Sequence, residues 1–184
     1  MEILKVEDLS FKYPLCSEPA VRDASFEVER GEFIVLCGAT GSGKSTLLKM
    51  LKRELTPLGD ISGKVSFCGK PLDELNDRTA ASKIGFVMQK PEQQIVTDKV
   101  WHELAFGLEN LGVSRETISS RTAEMASCFG MNDWYNSPVS ELSGGRKQLL
   151  NLASLLVMQP EVLILDEPTA QLDPVAASEL IALL

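Results

Sequence analysis

Residues 38–46 read GATGSGKST. The pattern is G-x-x-x-x-G-K-[ST], and its surroundings give it meaning. The uninterrupted apolar run Phe33–Cys37 comes just before it and predicts a central strand buried on both faces. Leu47, Leu48, Leu51 and Leu55 follow at helical spacing. A strand, a glycine loop and a helix in that order make a phosphate holder. Gly38, Gly41, Ser42 and Gly43 form a loop whose backbone N–H groups can turn inward around anionic oxygens, and the helix points its positive end at the same place. Lys44 supplies a point charge for the β- and γ-phosphates. The Ser45 hydroxyl is a hard oxygen ligand for Mg²⁺, and Thr46 reaches a phosphate oxygen from the first helical turn.

A phosphate loop needs acids to complete a metal site. EVLILDEP, 161–168, is a second apolar strand ending in Asp166 and Glu167. Asp166 is placed to hold Mg²⁺ through water, and Glu167 to polarise an attacking water. No N-K-x-D element for guanine is present, whereas Tyr13 in FKYP offers an aromatic ring for stacking on adenine. The expected cofactors are therefore ATP and Mg²⁺.

Around these motifs the chain alternates strand-like and helix-like segments, which predicts an α/β fold with a parallel core. ILKVEDLSFKY shows partial strand alternation, marked by Val6, Leu9, Phe11 and Tyr13. ASFEVERGEFIVLCG reads as two strands around a turn at Glu29–Glu32, and KIGFVMQ as a short buried strand. From Lys90 to about Ser140 the texture becomes helical, as in DKVWHELAFGLENLG and RETISSRTAEMASCFG. The segment DPVAASELIALL keeps helical apolar spacing through Leu183 and Leu184 without a cap, so the sequence reads as cut in or just after a helix.

The 184 residues suffice for one domain with a core, and the net charge of −8 argues against nucleic acid as the main partner. Cys16, Cys37, Cys68 and Cys128 lack metal-ligand or CxxC spacing and read as reduced thiols on small buried residues. The N-terminus has charges within its apolar run and is not a signal peptide. No stretch approaches the ~20 apolar residues of a membrane span, so a membrane role has to come through a partner.

One further stretch needs explaining. ELSGGRKQ, 141–148, opens a helical run with Ser143, Gly144 and Gly145, a bare helix N-terminus that permits close approach to an anion. Together with the phosphate loop, VLILDEP at 162–168 and TAQLD at 169–173, this stretch resembles the ATP-binding cassette (ABC) ATPases. Gln89, ending GFVMQ, matches that family's Q-loop glutamine.

The resemblance implies a P-loop NTPase with a RecA-like parallel-sheet core, an N-terminal antiparallel β-subdomain and an inserted helical subdomain. Residues 1–89 and 159–184 would form the nucleotide-binding core and 90–158 the helical subdomain. It implies catalytic roles for Glu167, Gln89 and Lys44, and a Mg²⁺ site of Ser45, Gln89 and Asp166. Ser143, Gly144 and Gly145 would act in trans, on the γ-phosphate of ATP held by a second ABC ATPase subunit, identical or not. Two such subunits would close around ATP and open after hydrolysis.

A narrower resemblance is carried by QKPEQQIVTDKVWHELAFGLENLG, which looks like energy-coupling factor transporter ATPases. In these, Pro91–Gln94 would belong to a groove for a transmembrane coupling subunit, with Glu92 and Glu103 as testable contacts. The implied setting is the cytoplasmic face of the membrane and uptake of a vitamin or metal ion. Competing readings are a soluble ABC-class ATPase and a non-catalytic nucleotide-dependent interaction module.

The sequence departs from the family at Arg146, where glutamine is usual, and at Leu149, where arginine is common. In TAQLD, Leu172 and Asp173 are kept and Gln171 stands at a variable position. The family's switch histidine follows the last helix, whereas the one histidine here, His102, lies in the helical insert as a surface or packing residue. The resemblance thus implies weak turnover by this chain alone.

Overall fold

The computed structural model describes residues 2–170 and 172–182. Gln171 and the helical spacing at Leu183 and Leu184 lie outside the described residues. Contacts divide the chain into two units, Met1–Ala80 and Ala81–Leu184. Among the described residues no helix is long and apolar enough to cross a membrane.

The first unit is built on an antiparallel sheet of β1 (Glu2–Lys12), β2 (Val21–Glu29), β3 (Asp60–Phe67) and β4 (Lys70–Pro71), in the order β2-β1-β3-β4. Ile3, Leu4, Val6, Leu9 and Phe11 of β1 are buried. Their spacing is not strictly two, and the sheet shows why. Asp8 has φ 48°, and the register between β1 and β2 shifts between Val6 and Leu9. One extra residue there carries the buried set onward by three positions. Two serines stabilise the irregularity. Ser25 Oγ accepts from Asp8 N at 2.8 Å and donates to Asp8 Oδ1 at 3.0 Å. Ser10 Oγ does the same for Asp23, whose φ is 45°.

After β2 the chain turns at Gly31, and Glu32 N donates to Glu29 O at 3.2 Å. The strand expected at Phe33–Cys37 does not form. Residues 32–39 carry no regular structure, and Phe33, Ile34, Val35 and Leu36 are 73, 50, 68 and 43% exposed. An apolar run reports a preference for burial, but a strand also needs a ladder partner, and none among the described residues pairs with this run. The helix α1 (Lys44–Met50) follows, and the segment after it is tied down by side chains. Lys52 Nζ donates to Ala80 O at 2.9 Å, and Arg53 bonds Leu75 O at 2.8 Å and Asp77 Oδ1 at 2.7 Å. The short helix α2 (Asp77–Lys83) follows.

In the second unit β5 (Ile84–Val87) pairs in parallel with β6 (Val162–Leu165), matching Ile84 with Val162 and Val87 with Leu165. Between them lie α3 (Val100–Asn110), α4 (Arg115–Cys128) and α5 (Gly144–Leu156), and α6 (Pro174–Ala182) follows. Ser114 caps α4 by accepting from Thr117 N at 3.3 Å. Val100, Leu104, Met131, Trp134, Leu150 and Ala153 form the helical core. The helical texture read from Lys90 onward and the short strand at KIGFVMQ are both present. The cysteines are free, as expected, but exposed rather than buried. Cys16 lies outside regular structure between β1 and β2, and Cys128 ends α4, so both sit where the chain meets solvent.

Candidate functional site

In the first unit the glycine loop curls around a lysine. Lys44 Nζ donates to Gly38 O at 2.9 Å and to Ala39 O at 3.0 Å, so the ammonium sits within the turn. Gly43 precedes the helix at φ 90°, and a Cβ there would run into the carbonyl oxygen of Ala20. Only glycine satisfies both conditions. Thr46, buried in α1, shares a hydrogen bond of 3.0 Å with the Tyr13 hydroxyl. The Tyr13 ring meets the edge of Phe11 at 4.7 Å and 89°. The bulged strand β1 thus delivers the aromatic candidate to the first turn of α1.

In the second unit the parallel strands bring together the other candidates. Asp166 N donates to Val87 O at 3.0 Å, continuing the β5–β6 ladder one step past the strand ends. That step places Gln89 beside Glu167, and Gln89 Nε2 donates to Glu167 Oε2 at 2.9 Å. Asp166 is buried whereas Glu167 is exposed. Asp166 still follows the ladder, whereas the backbone turns at Glu167, which occupies the left-handed region with φ 48°, and the two acids part there. Acceptance by Glu167 from Gln89 fixes the orientation of that amide and leaves Gln89 Oε1 as a hard acceptor.

The serine–glycine–glycine corner begins α5. Ser143 is extended, with φ −65° and ψ 162°, and its Oγ accepts from Arg146 N at 3.4 Å. The two glycines differ in their surroundings. A Cβ on Gly144 would meet nothing within 4 Å, whereas one on Gly145 would stand 3.5 Å from Ala176 Cβ and 3.9 Å from Leu172 Cδ2. Gly144 therefore leaves its backbone open, while Gly145 lets the 172–176 segment pack closely. Asp173 Oδ1 accepts from Val175 N and Ala176 N, both at 3.0 Å, and so caps α6. The departure at Arg146 has a local explanation, since its guanidinium lies 5.4 Å from the centroid of the Trp134 ring.

Two polar residues have roles that the sequence pattern did not announce. Glu103 was expected as a groove contact, yet it is buried, and its Oε2 accepts from Val96 N at 3.1 Å and Thr97 N at 2.8 Å. It shapes the loop before α3 from inside. Gln94 donates to Phe86 O at 2.6 Å and accepts from Met88 N at 3.0 Å and Asn151 Nδ2 at 2.9 Å. Beside it, segments 95–99 and 138–140 line a cavity of about 510 Å³, where Lys147 Nζ meets Glu92 Oε1 at 3.5 Å. His102 stacks on Trp101 at 5.2 Å, and its Nε2 lies 3.6 Å from Glu109 Oε2 on the outer side of α3.

Among the described residues no three His, Cys, Asp or Glu side chains gather into a metal cluster. The candidate Mg²⁺ donors are instead a hydroxyl, Ser45, an amide oxygen, Gln89, and a single carboxylate, Asp166. Each is an oxygen donor of the kind a hard cation accepts. Ser45 belongs to the first unit, and Gln89 and Asp166 to the second.

A glycine phosphate loop before a helix, with a parallel strand ending in paired acids, defines a P-loop nucleotide-binding domain of α/β class. The chain belongs to the ABC transporter family, whose model matches residues 21–170. A putative ABC transporter ATP-binding protein of Bacillus cereus is 50% identical over 180 residues, covering 98% of this chain and 32% of that protein. The energy-coupling factor transporter ATP-binding protein EcfA2 of Methanospirillum hungatei is 39% identical, covering 99% of this chain and 45% of that protein. Among solved structures, cbiO1 from Clostridium perfringens, part of the ABC transporter complex cbiONQ, superposes with a TM-score of 0.84 at 35% identity, covering 99% of this chain and 72% of that one. The chain thus spans less than half of the length of each of these two sequence relatives.

Proposed function

We propose that this chain is the ATP-binding and hydrolysing part of an energy-coupling factor type transporter at the cytoplasmic face of the membrane. Residues 1–89 and 159–184 act as its nucleotide core and 90–158 as its helical subdomain. The loop from Gly38 to Thr46, with Gly41, Ser42, Gly43 and Lys44, holds the phosphates, and Tyr13 stacks on the adenine. Ser45, Gln89 and Asp166 hold Mg²⁺, which when bound offsets phosphate charge. Glu167 orients and polarises the attacking water, and Gln89 holds that carboxylate in place.

The observation that carries this reading is the hydrogen bond from Gln89 to Glu167. It gives an exposed carboxylate a fixed direction, which a general base needs. The open backbone at Ser143 and Gly144 supports pairing with a second ATPase subunit, identical or related, around the nucleotide. The cavity beside Gln94 supports docking of a transmembrane coupling subunit, with Glu92 rather than Glu103 at its edge. The relation to EcfA2 supports the energy-coupling factor type, and uptake of a vitamin or a metal ion is what that type implies.

The test uses the full-length protein. Glu167→Gln should bind MgATP, lose turnover and accumulate as nucleotide-dependent pairs in sedimentation. A Glu167→Gln variant that turns over at the normal rate, or stays unpaired at saturating MgATP, would reject the proposal.

A further inference from the structure

A half-buried side chain before α3, that of Gln94, joins the end of β5, just before Gln89, to the buried Asn151 of α5. The partners of this side chain at Phe86 O and Met88 N are backbone groups of fixed chemistry, so the orientation of the Gln94 amide is determined. Gln94 Oε1 then faces Asn151, which must present Nδ2, at 2.9 Å. Asn151 is fully buried, and this orientation leaves its Oδ1 without a partner among the described residues. Three residues earlier on α5, and hence on the same face, Gln148 is 2% exposed with both Nε2 and Oε1 unpartnered.

Buried polar atoms without partners are few in folded proteins and destabilising. Here the unpartnered atoms are complementary, a donor at Gln148 Nε2 and an acceptor at Asn151 Oδ1, on side chains one helical turn apart. Their i, i+3 spacing puts the two side chains on one face of α5, where such pairs are neighbours. Met88, held by Gln94, immediately precedes Gln89, and Gln89 holds Glu167. Gln148 lies in the second turn of the helix that begins after Ser143.

We infer that Gln148, Asn151 and Gln94 are positioning residues, a relay that sets Gln89 against Glu167 according to how the Ser143 end of α5 is engaged. The inference rests on the hydrolytic reading above and adds a route by which contact at one end of α5 is felt at the water-orienting carboxylate. With Gln148 unbonded, as here, Asn151 is held on one side only. With Gln148 donating to Asn151 Oδ1, Asn151 is held on both, and the bond to Gln94 is stiffened. None of the three touches the reacting atoms.

ATP turnover and thermal unfolding of the full-length protein test the relay. Gln148→Met removes the unpartnered amide, so its unfolding temperature should rise while kcat falls about five- to tenfold, the rate equivalent of one net hydrogen bond, at unchanged KM. A merely structural side chain would not make the protein more stable and slower together. Asn151→Leu, which spares both backbone bonds of Gln94, should lower kcat similarly and have no further effect in a Gln89→Ala background. Wild-type kcat in Gln148→Met, or multiplicative losses for Asn151→Leu with Gln89→Ala, would overturn the relay while leaving the hydrolytic reading intact. Full turnover in the Glu167→Gln control would overturn both.

Discussion

Gln89 Nε2 donates to Glu167 Oε2 over 2.9 Å, joining residues 78 positions apart in the chain. The bond exists because Ile84–Val87 and Val162–Leu165 run in parallel and in register, so their following residues emerge side by side. Exchanging the carboxylate for an amide keeps the shape and removes the basic oxygen. Glu167→Gln is expected to lower kcat about 10²–10⁴-fold, the usual worth of a general base, with MgATP affinity retained. Steady-state turnover alongside equilibrium nucleotide binding checks this.

Gly43→Ala is expected to damage both folding and phosphate binding. Its φ of 90° and the nearby Ala20 carbonyl leave no room for a methyl group. The left-handed conformation alone costs about 1–2 kcal/mol for a residue with a Cβ, and the collision adds to it. Urea unfolding should show the loss, and nucleotide affinity should fall with it. Gly144→Ala, with open space around it, should be stable by the same assay.

Glu103 should behave as a structural acid. Glu103→Ala leaves Val96 N and Thr97 N without their carboxylate, at about 1–3 kcal/mol for each orphaned donor. Glu103→Lys places an unpaired charge in the same buried spot and should prevent folding. Glu92→Lys, at an exposed position 3.5 Å from Lys147, should fold normally. Denaturant midpoints of the three variants decide the matter.

Arg146 should prove a modest contributor through Trp134. Losing a cation–π contact at a partly exposed site costs about 0.5–1 kcal/mol, so Arg146→Gln should shift stability only slightly. Trp134→Ala removes a core member as well and should cost about 3–5 kcal/mol. Thermal unfolding separates the two.

Lys52 gives stability an alkaline dependence. Burial lowers its pKa from 10.5, outweighing the charge of Glu54. Between the lowered folded value and 10.5, the unfolded chain binds more protons than the folded one. Stability therefore rises with pH through that window. The unfolding free energy of Lys52→Met, relative to the natural protein, should fall as pH rises there, because the variant lacks this gain.

The phosphate loop was legible because its chemistry depends on local spacing. A glycine, a lysine and a serine at fixed offsets before a helix can be read without knowing any tertiary contact. The resemblance named Gln89 and Glu167 separately, and their pairing was not legible, since register between distant strands is not written at either residue. Phe33–Cys37 misled because hydropathy records what a segment avoids and not what it pairs with. Glu103 misled because a charged residue in a polar stretch ordinarily faces solvent, and nothing local marks one that turns inward to hold two amides. Gln94 sat in a recognisable pattern, but its three bonds come from β5 and from a helix more than fifty residues on.

The backbone at Glu167 has a consequence for how this protein can age and adapt. A glutamate with φ 48° holds back about 1–2 kcal/mol that glycine or asparagine would release. Selection for endurance alone would replace it, and with Glu167 as the proposed water-orienting base the sturdier descendant would be idle. The tension in that one peptide is a standing concession of durability to readiness.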